Sequence, residues 1–175
     1  MTRSSKTVCF GELLLRLSAP GYARLLQSPE LTANFGGAEA NVAVSLARFG
    51  LDSHLVTRLP DNALGDAGMR ALRAEGVNTE AVQRGGQRIG LYFVETGASQ
   101  RASRVVYDRS HSAMSELGPE SVRWPDLLHG ASWFHTSGIT PALGPRVAEC
   151  TALALTAARA AGAKVNFDLN FRRKL

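Results

Sequence analysis

Asn34-Phe35-Gly36-Gly37-Ala38-Glu39-Ala40-Asn41, running on through Val42-Ala43-Val44-Ser45-Leu46-Ala47-Arg48-Phe49 to Gly50, sets two glycines directly ahead of a helical pattern. Val42, Leu46 and Phe49 recur at helical spacing over 38–49, and Gly50 supplies the stop. Glycine lets the backbone approach a ligand closely, and the first N–H groups of a helix have no partner within it. A tight turn in which Glu39 favours the helix dipole accounts for the same string. It is neither a P-loop, which ends in Gly-Lys-Ser/Thr, nor the dinucleotide-binding fingerprint.

Outward from this stretch, strands and helices alternate, which is the signature of an α/β fold. Residues 7–10 read as a first buried strand and 53–59 as a second. A helix is predicted over 66–75, with Met69 and Leu72 on one side, Asp66 at its start and Gly76 at its end. The rhythm breaks at 89–95 and 104–108, two strands rich in Val, Ile, Tyr and Phe joined by 96–103. They are predicted to pair as a hairpin, in a small accessory sheet placed to cover a pocket as a lid. The rhythm then resumes with a strand at 131–135, an alanine-rich helix at 141–161 stopped by Gly162, and a strand at 164–171. A parallel sheet is normally covered on both faces. Ending straight after an apolar strand therefore leads us to expect an incomplete chain.

The 175 residues are 45 % hydrophobic and 20 % charged, an ordinary globular composition with length for one core. No run of about 18 apolar residues occurs to span a membrane, and the N-terminus lacks a secretory pattern, so a cytoplasmic protein is expected. Cys9 and Cys150 do not make a disulfide framework or a paired-cysteine metal site. His54, His111, His129 and His135 show no metal-ligand spacing. The net charge of +5 comes from scattered arginines without a block of like charge, which argues against nucleic acid. Guanidinium groups suit a pocket for small anions, pairing with carboxylate or phosphate through two parallel hydrogen bonds.

Four further places can carry chemistry. Tyr92 lies on the first lid strand, and Tyr107 and Arg109 share a face of the second, because strand side chains alternate. Two phenols and a guanidinium suit a sugar acid, the rings meeting C–H surface and the guanidinium a carboxylate. Simple cross-strand aromatic pairing with a solvated Arg109 fits the same residues. On the last strand Asn166, Asp168, Asn170 and Arg172 share one parity, against Val165, Phe167, Leu169 and Phe171 on the other. In open α/β sheets ligands bind beyond the carboxyl ends of strands, although an amphipathic strand facing solvent shows the same pattern. Glu12, just after the first strand, is a sugar-hydroxyl contact, an exposed side chain, or one half of an ion pair with Arg16. The string Ser137-Gly138-Ile139-Thr140-Pro141 ends a strand and enters a helix, which a plain capping turn explains.

GGAEANVAVSLARFG at 36–50, TRLPDNALGDAGMRALRAEGV at 57–77, YDR at 107–109 and DLNFR at 168–172 together resemble the N-terminal half of PfkB-family, ribokinase-type sugar kinases. The resemblance implies a three-layer α/β/α sandwich with a β lid, residues 1–175 forming its sugar-binding part with lid strands within about 89–109. It implies substrate contacts at Gly37, Ala38, Glu39, Ala40, Asn41, Tyr92, Tyr107, Asp108, Arg109 and Arg172, and contacts to the phosphate donor at Asn170, Phe171 and Arg172. Asp168 would organise its neighbours. Among PfkB relatives the Tyr92, Tyr107 and Arg109 arrangement looks like that of 2-keto-3-deoxygluconate kinases, with ATP and Mg²⁺ as the expected cofactors. The family places its catalytic Asp and its anion-holding backbone in a Gly-Ala-Gly-Asp turn, and that string does not occur here. No catalytic base is therefore expected in this chain, and the chain alone is expected to be inactive. Another PfkB member such as a fructokinase, or a non-catalytic sugar-acid-binding module, is the alternative. A homo-oligomer through the lid sheet is also expected.

Overall fold

The structure, a computed structural model, describes residues 5–171. Its strands are β1 (Thr7–Phe10), β2 (Leu14–Ser18), β3 (Thr32–Gly36), β4 (Ser53–Val56), β5 (Arg58–Leu59), β6 (Gln83–Arg84), β7 (Leu91–Glu95), β8 (Arg104–Asp108), β9 (Trp133–Ser137) and β10 (Lys164–Asp168). The α-helices are α1 (Ala38–Arg48), α2 (Ala63–Ala74), α3 (Trp124–Leu128) and α4 (Pro145–Ala160).

β10, β9, β1 and β4 make an all-parallel sheet in that order. Alternation along β1 sends Val8 and Phe10 to one face and Cys9 to the other, and two cores follow. On the first face Phe10 and Phe134 meet α4 through Val147, Cys150, Ala154 and Ala158. On the second, Cys9 and Leu55 meet Ala40 and Ala43 of α1 and Leu72 of α2. Helices thus cover both faces, as a parallel sheet requires.

A second sheet, ordered β3-β2-β7-β8, forms the lid. The predicted β7–β8 hairpin is present, antiparallel, with Tyr92 opposite Tyr107. The lid is larger than the 89–109 expectation, since β2 pairs in parallel with β7 and antiparallel with β3. These two strands escaped the sequence reading for opposite reasons. Leu13-Leu14-Leu15 reads as an unbroken apolar run, and Thr32-Ala33-Asn34 faces solvent and carries no apolar alternation.

Other boundaries shift for identifiable reasons. Residues 141–144 do not join α4, because Pro141–Leu143 forms a 3₁₀ turn and Gly144 takes φ 152°, leaving Pro145 to start the helix. Phe49 caps α1 instead of packing on its apolar face and is 82 % exposed. β10 ends at Asp168, three residues short of the predicted strand. The side chain of Asp168 accepts the Asn170 N–H at 3.0 Å, and Asn170 turns to φ 37°, which ends the alternation that the parity pattern assumed. The 110–130 stretch, unassigned from sequence, delivers Met114, Leu117, Trp124 and Leu128 to the core. Trp124 meets Phe10 and Phe134 edge to face at 5.0 and 5.9 Å.

Candidate functional site

A cavity of about 180 Å³ lies where the lid overhangs the carboxyl end of β1 and the start of α1. The main-sheet wall brings Gly37, Ala38, Glu39, Asn41 and Ile139, the lid wall brings Leu14, Tyr92, Tyr107 and Arg109, and Glu12 sits between them. A larger groove of about 530 Å³ runs between β3, α1 and α2. Its lining is mostly apolar, and its single charged side chain, Glu75, is already paired with Arg48. The smaller cavity has the convergent polar groups that a ligand site needs.

The turn at 36–41 is shaped by contacts that exclude side chains. A Cβ on Gly37 would lie 2.0 Å from the Glu12 carbonyl oxygen, so only glycine lets the two chains pass. The Asn41 Oδ1 accepts the Gly37 N–H at 3.4 Å, folding that side chain back over the turn.

On the lid, Tyr92 and Tyr107 stack with centroids 6.0 Å apart and planes 29° off parallel. The Arg109 guanidinium lies 5.9 Å from the Tyr107 ring centre, within cation–π range. Burial pushes the Tyr92 phenol above its ordinary pKa, so it remains a hydrogen-bond donor at neutral pH.

Arg109 is not solvated. Its Nη2 donates to Glu12 Oε2, the Ser112 hydroxyl donates to Glu12 Oε1, and the paired side chains are 9 % and 3 % exposed. Glu12 therefore does form an ion pair, with Arg109 in place of Arg16, whose Nε instead donates to Ser18 Oγ at 2.9 Å. Burial holds the Glu12 carboxyl above its ordinary value, against the opposing pull of Arg109 and Ser112. Gly90 makes room for the pair, since a Cβ there would lie 2.8 Å from Glu12 Oε1 and 3.2 Å from Arg109 Cβ. Arg109 Nε is buried without a hydrogen-bond partner among the described residues.

Of the residues predicted for the sugar, Gly37, Ala38, Glu39, Asn41, Tyr92, Tyr107 and Arg109 converge on this cavity. Ala40 turns into the core with Ala43 and Leu72. Asp108, one residue out of phase with Tyr107 and Arg109, is paired with Arg88 at 2.9 Å outside the cavity, and that hydrogen bond holds its carboxyl below the ordinary value. Asn170 and Phe171 lie past the end of β10 and do not line the cavity, and Phe171 is 85 % exposed. Arg172 lies outside the described residues. Sequence reasoning missed the clamp by Ser112, for which no local signal exists, since 100 residues separate it from Glu12. Ile139 also lines the cavity, from the stretch 137–141 that spans the end of β9 and the turn after it.

Cys9 and Cys150 are buried free thiols, and burial together with Glu39 pushes Cys9 up to about 12, leaving it inert. Among the described residues no group of three or more His, Cys, Asp or Glu side chains is arranged to hold a metal ion, and no helix is long and apolar enough to cross a membrane.

A parallel sheet covered by helices on both faces, with a separate β lid over its strand ends, defines a ribokinase-like α/β protein. Comparison with known proteins agrees. A 2-dehydro-3-deoxygluconokinase of Thermotoga maritima superposes with a TM-score of 0.96 at 52 % identity, covering 98 % of this chain and 52 % of that one. A putative ribokinase II of E. coli, at 22 % identity and a TM-score of 0.84, shares the fold. Residues 4–175 match the pfkB family carbohydrate kinases, and the chain belongs to that family. Curated relatives include a 2-dehydro-3-deoxygalactonokinase of Haloferax volcanii, 37 % identical over 98 % of this chain and 54 % of its own length. A 2-dehydro-3-deoxygluconokinase of Bacillus subtilis is 30 % identical over 96 % of this chain and 52 % of its own length. The chain spans about half the length of the curated relatives it matches.

Proposed function

We propose that this chain forms the sugar-binding part of an ATP-dependent kinase that phosphorylates 2-keto-3-deoxygluconate or a closely similar sugar acid. The observation that carries the reading is the cavity in which stacked Tyr92 and Tyr107, with Arg109 beside them, face the turn of Gly37 and Asn41. The aromatic faces would cover C–H surface of the sugar, Asn41 and the turn backbone would meet hydroxyls, and Arg109 would meet the carboxylate. The names of the relatives from Thermotoga maritima and Bacillus subtilis support the same substrate class.

The chain's contribution to phosphoryl transfer is positioning. A hydroxyl held at the carboxyl end of β1 would be presented toward the ends of β9 and β10, where Asn170, Phe171 and Arg172 are the proposed neighbours of the donor phosphates. The proton-accepting Asp is proposed to come from outside these 175 residues. A reducing, cytoplasmic setting suits the two buried free thiols.

One observation favours a second reading. The Arg109 charge is already compensated by Glu12, so a neutral ketose would not meet a bare cation in this cavity. A fructokinase is therefore the alternative, and a tomato fructokinase is 32 % identical over 98 % of this chain. The product of the complete open reading frame should release ADP with saturable dependence on 2-keto-3-deoxygluconate or its galactonate epimer. Faster use of fructose than of either acid would select the alternative.

A further inference from the structure

Glu39 is 1 % exposed and lies in the first turn of α1, yet no ion pair among the described residues includes it. Its Oε1 accepts two hydrogen bonds, from the Ser137 N–H at 3.0 Å and the Thr140 hydroxyl at 2.9 Å. The rest of the carboxylate fills space that would otherwise hold a side chain, since a Cβ on Gly11 would lie 2.2 Å from Glu39 Oε2. A carboxyl group is costly to bury, and an apolar residue would fill this position at lower cost if packing were all that mattered.

The partners of this carboxylate explain its value. Ser137 ends β9, and Thr140 lies in the loop that follows it. The end of β9 and that loop are fixed to their neighbours on both sides. The Thr136 hydroxyl donates to the Phe10 carbonyl at the end of β1 at 2.9 Å, and the Gly138 N–H donates to the Asp168 carbonyl at the end of β10 at 2.8 Å. Ile139 of the same loop reaches the cavity wall. A single buried carboxylate therefore joins the turn that carries Gly37 and Asn41 to the ends of three parallel strands, where ligands of such sheets bind.

We infer that Glu39 is a positioning residue, a buried strut that fixes the turn at 36–41 against the carboxyl end of β9 and so sets where a bound sugar lies relative to the end of β10. Glu39 touches no substrate in this role. It acts through Gly37, Asn41 and Ile139. The inference rests on the sugar-kinase reading for its consequence in catalysis, whereas the strut itself can be tested without turnover.

The test uses the product of the complete open reading frame, carrying Glu39→Ala, Glu39→Gln or Thr140→Val. Glu39→Ala should raise the sugar KM about tenfold or more and leave the ATP KM unchanged, while Glu39→Gln, which keeps an acceptor for both donors, should return to within roughly threefold of wild type. Loss of folded protein with both KM values unchanged per folded molecule would overturn the inference, as would a glutamine variant no better than alanine. If Glu39→Ala does not fold, Thr140→Val removes one donor at nearly constant shape and should raise the sugar KM alone by roughly threefold, and no rise overturns the proposal. Amide hydrogen exchange at Ser137 gives a readout free of activity. Exchange there should speed up about tenfold in Glu39→Ala, and unchanged protection contradicts the strut. Absence of sugar-dependent turnover in the wild type would overturn the kinase reading and leave the exchange result to decide on the strut.

Discussion

The two walls of the cavity are built differently. The main-sheet wall, from the end of β1 through the turn at 36–41 to the end of β9, rests on the buried Glu39, Thr136, Ser137 and Thr140, whose polar groups are hydrogen-bonded within the fold. The lid wall hangs from β7 and from β8, an edge strand exposed along its whole length. Their buried carboxylates differ in the same sense: Glu39 is held by neutral donors, whereas Glu12 is held by Arg109 and Ser112. A wall held by close backbone contacts and neutral hydrogen bonds can fix geometry. A wall that brings a guanidinium and two phenols can choose among substrates by charge and shape. The main sheet should therefore govern stability and placement, and the lid should govern which sugar is used.

Arg109→Ala should show the largest effect, because Arg109 is the one cation lining the cavity among the described residues. In the complete enzyme the KM for a sugar acid should rise about 10- to 100-fold, with the ATP KM unchanged. Steady-state kinetics with each substrate varied in turn checks this, and an unchanged sugar KM would remove Arg109 from the site. Gly37→Ala should damage the opposite wall, where the new Cβ meets the Glu12 carbonyl. We expect a loss of about 1–3 kcal/mol in urea unfolding. The solvent-facing lid substitution Val106→Thr should cost less than about 0.5 kcal/mol, since Val106 is half exposed. Equal losses from the two would erase the contrast between the walls.

The same contrast explains what was legible in the sequence. The buried wall announced itself: Gly36-Gly37 ahead of a 3.6-residue period located α1 within a residue, and the apolar strands β1 and β9 were found. The lid was half legible. Alternating Val and Tyr marked β7 and β8, but β2 and β3 gain their strand character from pairing across the lid, which no local pattern records. At the site, parity placed Tyr107 and Arg109 together, and the same rule applied to Asp108 would have put it on the other face. The Glu12–Arg109–Ser112 clamp joins residues about a hundred positions apart and depends on the fold alone. Parity failed on the last strand because Asp168 folds back onto its own chain.

A smaller effect should appear in the pH dependence of stability. The folded-state value of Glu12 is raised above its ordinary 4.5 by burial, so between these values the native state holds a proton that the unfolded chain releases. Stability from this group is present at low pH and falls as pH rises from about 4.5 through the folded-state value. Glu12→Gln should remove that fall, visible as a flatter plot of urea midpoint against pH. A slope identical to wild type would show that Glu12 titrates normally. The smallest effect belongs to Asp108→Asn, which breaks a solvent-exposed pair with Arg88 outside the cavity. Its sugar KM should match wild type, and a clear rise would return Asp108 to the site.

The most direct test of the division between the walls is the ratio of kcat/KM for 2-keto-3-deoxygluconate to kcat/KM for fructose, measured on the complete enzyme and on its Arg109→Ala variant. The wild type should favour the acid, and the variant should lose at least about tenfold of that preference while its use of fructose changes little. A ratio that is the same in both proteins, or that favours fructose from the start, would contradict a lid that selects sugar acids through Arg109.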